Sequence, residues 1–317
     1  MIYGYGYVNT KGLQQTLAPS IVTMLRFMIA SLIFLPSIVG KWQQSGEMAV
    51  RGGIELGVLC AAGFIAQGIS LQATSASKVA FFCGLSVIMP PLFTIISSRL
   101  KGQESVPQPV LENERGDIVG SNKWRWRRLA SSPLIPPGLA LFGAAILEWG
   151  SLDAPHIGDL FLLITPVSFA MCFWRAEKLS RRVPAATVFI TGLMLSTCAF
   201  ISALFAVATG AFPLSWASVS TLASKISTRQ SVLSLIYTGG LATALTSYIE
   251  QRAIKVLSAA DTTLIYSLEP IFATVFAAIF LREPFSAGSV VSAAFIITAC
   301  LYDEMARRFL HVNRKKI

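Results

Sequence analysis

Charge is scarce in this chain. Only 13% of its 317 residues are Asp, Glu, Lys or Arg, where a soluble domain carries about a quarter, so a water-soluble globular enzyme of ordinary composition is excluded. Histidine occurs twice, at His156 and His311, far apart in sequence, which argues against a histidine-based metal site. The five cysteines, Cys60, Cys83, Cys172, Cys198 and Cys300, form no Cys-x-x-Cys pair and all lie within apolar runs. They read as small core hydrophobes, not as a disulfide framework. A Gly-x-Ser-x-Gly elbow, a His-Glu-x-x-His pair and a Walker-type phosphate loop are all missing, which argues against an enzyme and against ATP-driven pumping by this chain. No cofactor and no metal is expected.

What the chain has instead is apolar length. Hydrophobic residues make up 54% of it and the mean hydropathy is +0.62, the composition of an all-α polytopic membrane protein. Nine apolar spans follow one another at 19–40, 52–71, 78–98, 134–150, 159–174, 185–210, 231–249, 261–283 and 287–301. They are preceded by MIYGYGYVNTKG. Ten residues of helix cover about 15 Å against a ~30 Å hydrocarbon core, so the expectation is a first helix truncated here and a total of ten when intact. Residues 99–133 form a polar loop with the basic aromatic run WRWRR, an interfacial anchor.

The net charge of +10 does not point to nucleic acid, because of where it lies. If the incomplete first helix starts inside, 20 of the 26 basic residues fall in loops and a tail on the cytoplasmic side, while Lys11, Lys78, Lys225, Arg229 and Arg282 fall opposite and Arg26 lies within a span. That asymmetry is a positive-inside signal.

The span 261–283, DTTLIYSLEPIFATVFAAIFLRE, organises the rest. Glu269 and Pro270 stand a third of the way along it. A carboxylate near a membrane helix centre costs about 2.5–3.5 kcal/mol, and the proline removes a backbone donor that lipid cannot replace. Together they point to a cavity. Residues 74–100 align with 257–283 at a constant offset of 183 with seven identities, including Ser75/Ser258, Leu85/Leu268, Phe93/Phe276 and Arg99/Arg282. Both stretches run through a proline-bearing middle, with Pro90-Pro91 in the first. Five spans per half make this an inverted repeat.

The runs SLQATSASKVAFFCGLSVIMPPLF and LSAADTTLIYSLEPIFATVFAAIFLREPFS resemble the paired signatures of the EamA-type transporters of the drug/metabolite transporter superfamily. YGYGYVNTKG is similar to the end of that family's first helix and APSIVTMLRFMIASLIFLP to its second. The resemblance implies two inverted five-helix repeats, 1–150 and 151–303, with a basic cytoplasmic tail at 304–317. It implies a secondary transporter of a small-molecule metabolite, embedded in the lipid bilayer of the plasma membrane or an organellar envelope. The family's members move varied substrates, so the metabolite stays open, as do proton coupling and a homodimer.

The candidate substrate or coupling residues are Arg26, Pro90, Tyr266, Ser267, Glu269 and Pro270. Arg26 and Glu269 differ by roughly 8 Å in depth, a gap that a long arginine nearly closes. They form either a structural ion pair or a substrate or proton site. Glu55, near a helix start, reads as structural, and Gln67 as a cross-helix hydrogen bonder. Two other classes remain beside transport: a non-transporting membrane scaffold, which tolerates an incomplete first helix, and an intramembrane lipid-modifying enzyme, which needs a cluster of Asp, His or Cys that the sequence does not display.

Overall fold

The computed structural model describes residues 1–100, 157–212, 216–257, 259–266 and 268–282, with scattered residues between 138 and 142 and between 290 and 298. The spans expected at 134–150 and 287–301, the 99–133 loop beyond residue 100 and the 304–317 tail lie outside this set. All regular structure among the described residues is helical. Among the described residues, five helices are long and apolar enough to cross a membrane.

The first half contributes α1 (Ile2–Leu13), α2 (Pro19–Lys41), α3 (Glu47–Ala73), α4 (Ala76–Gly84) and α5 (Met89–Leu100). The second contributes α6 (Ile157–Arg182), α7 (Thr187–Ala208), α8 (Trp216–Ile226), α9 (Arg229–Ile236), α10 (Thr246–Ala253), α11 (Ala259–Tyr266) and α12 (Glu269–Phe276). A π-helical stretch, Tyr237–Leu245, joins α9 to α10 into one span, and a second, Ala277–Leu281, extends α12.

Chain chemistry sets the boundaries. Pro19 occupies the first turn of α2, where its missing N–H costs no hydrogen bond. Gly46 caps α3, with Glu47 in the positive first turn. The spans at 52–71, 159–174 and 231–249 are longer than expected, because their charged ends stay helical. Glu47, Arg51, Arg175, Lys178 and Glu250, all outside the expected bounds, sit on helix. The amphipathic α8 has no counterpart among the expected spans.

Polarity is arranged for lipid. Leu32, Ile33, Val39, Phe200, Leu204, Ile279 and Phe280 are exposed, while Thr165, Thr191, Ser202, Thr238, Gln251 and Arg26 are buried. The core lies where α2, α3, α6 and α7 meet, around Phe27, Leu56, Phe189 and Leu195. Glycines on one side of α3 permit this approach. A Cβ at Gly57 would stand 2.7 Å from the carbonyl oxygen of Met194 and 2.5 Å from Thr197 Cβ, and one at Gly53 would meet Leu193. The Gly53-x-x-x-Gly57 spacing thus seats α7, a contact within the chain.

Two helices are broken at corresponding places. A 3₁₀ turn, Leu85–Val87, separates α4 from α5, and a turn at Leu268 precedes α12. At the offset of 183, Leu85 corresponds to Leu268 and Ser86 to Glu269. Each break precedes the prolines. Pro90 lies in the first turn of α5 and Pro270 in the first turn of α12, where no intrahelical donor is lost.

Gly57→Ala is expected to lower the melting temperature in detergent, since the added methyl meets backbone and overpacking costs about 1–3 kcal/mol. Gly12→Ala, with open space around its Cβ, is expected to leave stability unchanged or raise it by up to about 1 kcal/mol through helix propensity. Equal melting shifts for the two would contradict the close packing of α3 on α7.

Candidate functional site

The breaks open onto an internal cavity of about 80 Å³ between the two halves. Arg26, Glu250, Tyr266, Glu269 and Ser86 line it, with Phe64, Phe169 and Phe173 among its apolar walls.

Arg26 is placed by the π-helical stretch. Gly239 brings that stretch against α2, where a Cβ would stand 2.7 Å from Ile29 Cβ and 3.0 Å from the Arg26 carbonyl oxygen. A π-helix shifts its carbonyls out of the usual ladder, and hydroxyls take several of them. Thr243 donates to the Thr238 carbonyl five residues back at 2.6 Å, and Thr246 donates to that of Ala242 at 3.0 Å. Arg26 completes the arrangement. Its Nε donates to Thr243 Oγ1 and its Nη2 to the Ala242 carbonyl at 3.3 Å. The guanidinium carbon lies 4.5 Å from the Phe64 ring centroid, a desolvated cation–π contact. Arg26 makes no ion pair with Glu269 or Glu250 among the described residues. The pairing weighed from helix depth is therefore replaced by polar contacts with the π stretch, which supplies nearer acceptors.

Both carboxylates are held by tyrosines. Tyr7 donates to Glu269 Oε2 at 3.1 Å, while Tyr3 and Tyr266 both donate to Glu250 Oε2 at 3.1 Å. Gln67 Nε2 donates to the Tyr7 hydroxyl at 3.3 Å and also approaches Cys83 Sγ at 3.3 Å, which ties α3 and α4 to Glu269. The Tyr3 ring stands edge-on to Tyr266 with centroids 5.6 Å apart. Glu269 opens α12, where the first-turn N–H groups favour a carboxylate.

Of the residues singled out in the sequence, Arg26, Tyr266 and Glu269 converge on this cavity. Pro90 is buried in α5 outside its lining, and the Pro270 backbone lies directly after Glu269. Ser267 lies outside the described residues. Glu250, Tyr3 and Tyr7 were missed. Tyr3 and Tyr7 are four residues apart, one face of a helix, and that spacing in YGYGY was the available signal. Glu55, read as structural, forms a two-bond pair with Arg175 at 2.5 and 2.6 Å. Among the described residues no three His, Cys, Asp or Glu side chains converge as a metal-binding group.

The cavity has room for about three waters and is smaller than the roughly 300–1,000 Å³ of ligand pockets. A metabolite enters only if the helices around it move.

A multi-pass protein with buried charges at a pair of helix breaks is an integral membrane protein built around a polar interior. The EamA-like transporter family model matches residues 156–302, which bears out the resemblance carried by LSAADTTLIYSLEPIFATVFAAIFLREPFS and relates the chain to membrane transporters. No curated protein matches the sequence. A solved structure described only as "Crystal structure of protein" has a TM-score of 0.59 at 15% identity, over 96% of this chain and 97% of its own. That likeness is one of fold.

Thr243→Val removes the acceptor of Arg26 Nε at nearly constant volume. Leaving a buried charged donor unpaired is expected to cost about 1–3 kcal/mol, read as a lowered melting temperature in detergent. An unchanged melting temperature would mean that Thr243 does not hold the arginine.

Proposed function

We propose that this protein is a secondary transporter that moves a small organic metabolite across its membrane by alternating access, at a midplane site between two inverted five-helix repeats, and that protons are coupled through Glu269. The repeats comprise residues 1–150 and 151–303, with the 304–317 tail on the cytoplasmic side. The observation that carries this reading is the pair of corresponding breaks, at Leu85–Val87 and next to Leu268, meeting at a cavity that contains Arg26, Glu250 and Glu269. Paired discontinuous helices at a polar midplane are the pattern of a transport site. The family match over 156–302 and the fold likeness support the same assignment.

Each residue has a role under this reading. Arg26 keeps its charge at any accessible pH and offers its remaining donors to an anionic substrate group. Glu269, held by one neutral tyrosine hydroxyl, needs a proton or a cationic partner when the cavity is closed to water. Substrate arrival changes which of these it has, and that links binding to protonation. Glu250, with two tyrosine donors, is the better-satisfied carboxylate and holds Tyr3 against Tyr266. Pro90 and Pro270 mark the rigid starts of the half-helices that move.

In proteoliposomes with an imposed pH gradient, screened against a panel of small metabolites, the parent protein is expected to accumulate at least one substrate. Glu269→Gln should lose gradient-driven accumulation and keep substrate exchange, because the amide preserves shape without a titrating proton. Arg26→Gln should abolish both, and Arg26→Lys should weaken both. Accumulation by Glu269→Gln equal to that of the parent would place the coupling proton elsewhere.

A further inference from the structure

A second concavity, of about 380 Å³, lies at the end of the bundle where α3 begins and α6 finishes. Arg175, Lys178 and Arg182 recur on one face of α6 at spacings of three and four residues, Glu47, Arg51 and Glu55 recur on one face of α3 at a spacing of four, and these two faces enclose it. Four cations against two carboxylates leave a formal excess of two positive charges.

The carboxylates are already engaged. Glu55 fixes Arg175 by two bonds at 2.5 and 2.6 Å. The Glu47–Arg51 pair, at 2.5 Å, has side chains 75% and 79% exposed, so it contributes little and exchanges readily. Arg182 forms no ion pair among the described residues.

The level of this concavity in the membrane is marked independently. Trp42, at the end of α2, is half-exposed, and Trp174, one helical turn before Lys178, carries that lysine's ammonium 3.1 Å from its ring centroid. Both indoles belong to the same end of the bundle as the start of α3, and tryptophans concentrate at headgroup depth. Below the charged rim the lining turns apolar. Leu56 and Leu179 form part of it, with Leu179 packed over Gly52, and Arg51 shares its exposed face of α3 with Ile54 and Val58, three and seven residues on.

We propose that this concavity is a binding site for an anionic phospholipid, whose phosphodiester is held by Arg51, Lys178 and Arg182 while its acyl chains lie along the exposed apolar face of α3. The basic rim at headgroup depth recognises the phosphate. The apolar lining separates this ligand from a free phosphate ion, which has nothing to bury there. The site is distinct from the central cavity and stands whether or not that cavity transports.

Native mass spectrometry of the full chain in detergent, with equimolar phosphatidylglycerol and phosphatidylcholine added, tests it. The parent is expected to retain phosphatidylglycerol preferentially. Lys178→Gln combined with Arg182→Gln is expected to lower that preference by about tenfold, and Arg182→Lys to keep most of it. Inorganic phosphate at the lipid concentration should displace nothing. Raising the ionic strength on the unaltered parent should weaken the preference, a reading that does not depend on the variants folding. Equal retention of the two lipids by the parent, an unchanged preference in a folded double variant, a preference indifferent to salt, or displacement by inorganic phosphate would each overturn the proposal.

Discussion

Lipid offers no hydrogen-bond partner, and that single constraint governs this fold. Every backbone group freed by a helix break or a π turn, and every charge within the bilayer, has to be satisfied by protein or by enclosed water. The π-helical Tyr237–Leu245 shows how. Its displaced carbonyls are taken by Thr243, Thr246 and Arg26, so an irregular backbone and a buried cation satisfy one another. The two glutamates meet the same requirement through hydroxyls of Tyr3, Tyr7 and Tyr266. The short α1 is tied in by this chemistry, because two of those tyrosines are its own.

Packing has the complementary role. The driving force between membrane helices comes from contact and not from water exclusion, so glycines on α3 that admit Leu179, Leu193, Thr197 and Phe169 set the spacing of the central helices. Around the cavity the contacts are of another kind: aromatic edges, tyrosine hydroxyls and first-turn helix ends. A closely packed four-helix core beside broken helices is the division of labour that the proposed alternating access needs. The positive excess at one end of the bundle, where Trp42 and Trp174 lie, has the composition that favours a headgroup region.

Much of this was legible in the sequence. The long apolar runs of α2, α3 and α7 announce themselves, and Glu269-Pro270 and Arg26 declare an interior cavity by being too costly to face lipid. The offset of 183 that matches Ser75 to Ser258 and Leu85 to Leu268 also matches the two helix breaks. What stayed hidden depended on three-dimensional detail. The breaks fall before Pro90-Pro91 and Pro270 because proline is accommodated in a first helical turn. Glu250 escaped notice because the run Glu250-Gln251-Arg252 looks like the end of a span, whereas the helix continues and turns its carboxylate inward. The partners of Arg26 were not foreseeable, since they arise from a π-helical register that no residue pattern specifies beyond Gly239-Gly240.

The central claim is that the cavity at the paired breaks opens to each side of the membrane in turn. Ser86 lines it, at the first-half position that corresponds to Glu269. With the five native cysteines replaced by alanine, Ser86→Cys in oriented vesicles can be challenged with a membrane-impermeant thiol reagent from either face. Alternating access predicts modification from both faces, with the ratio of the two rates shifted by an imposed pH gradient. Modification from one face alone under every gradient would contradict it.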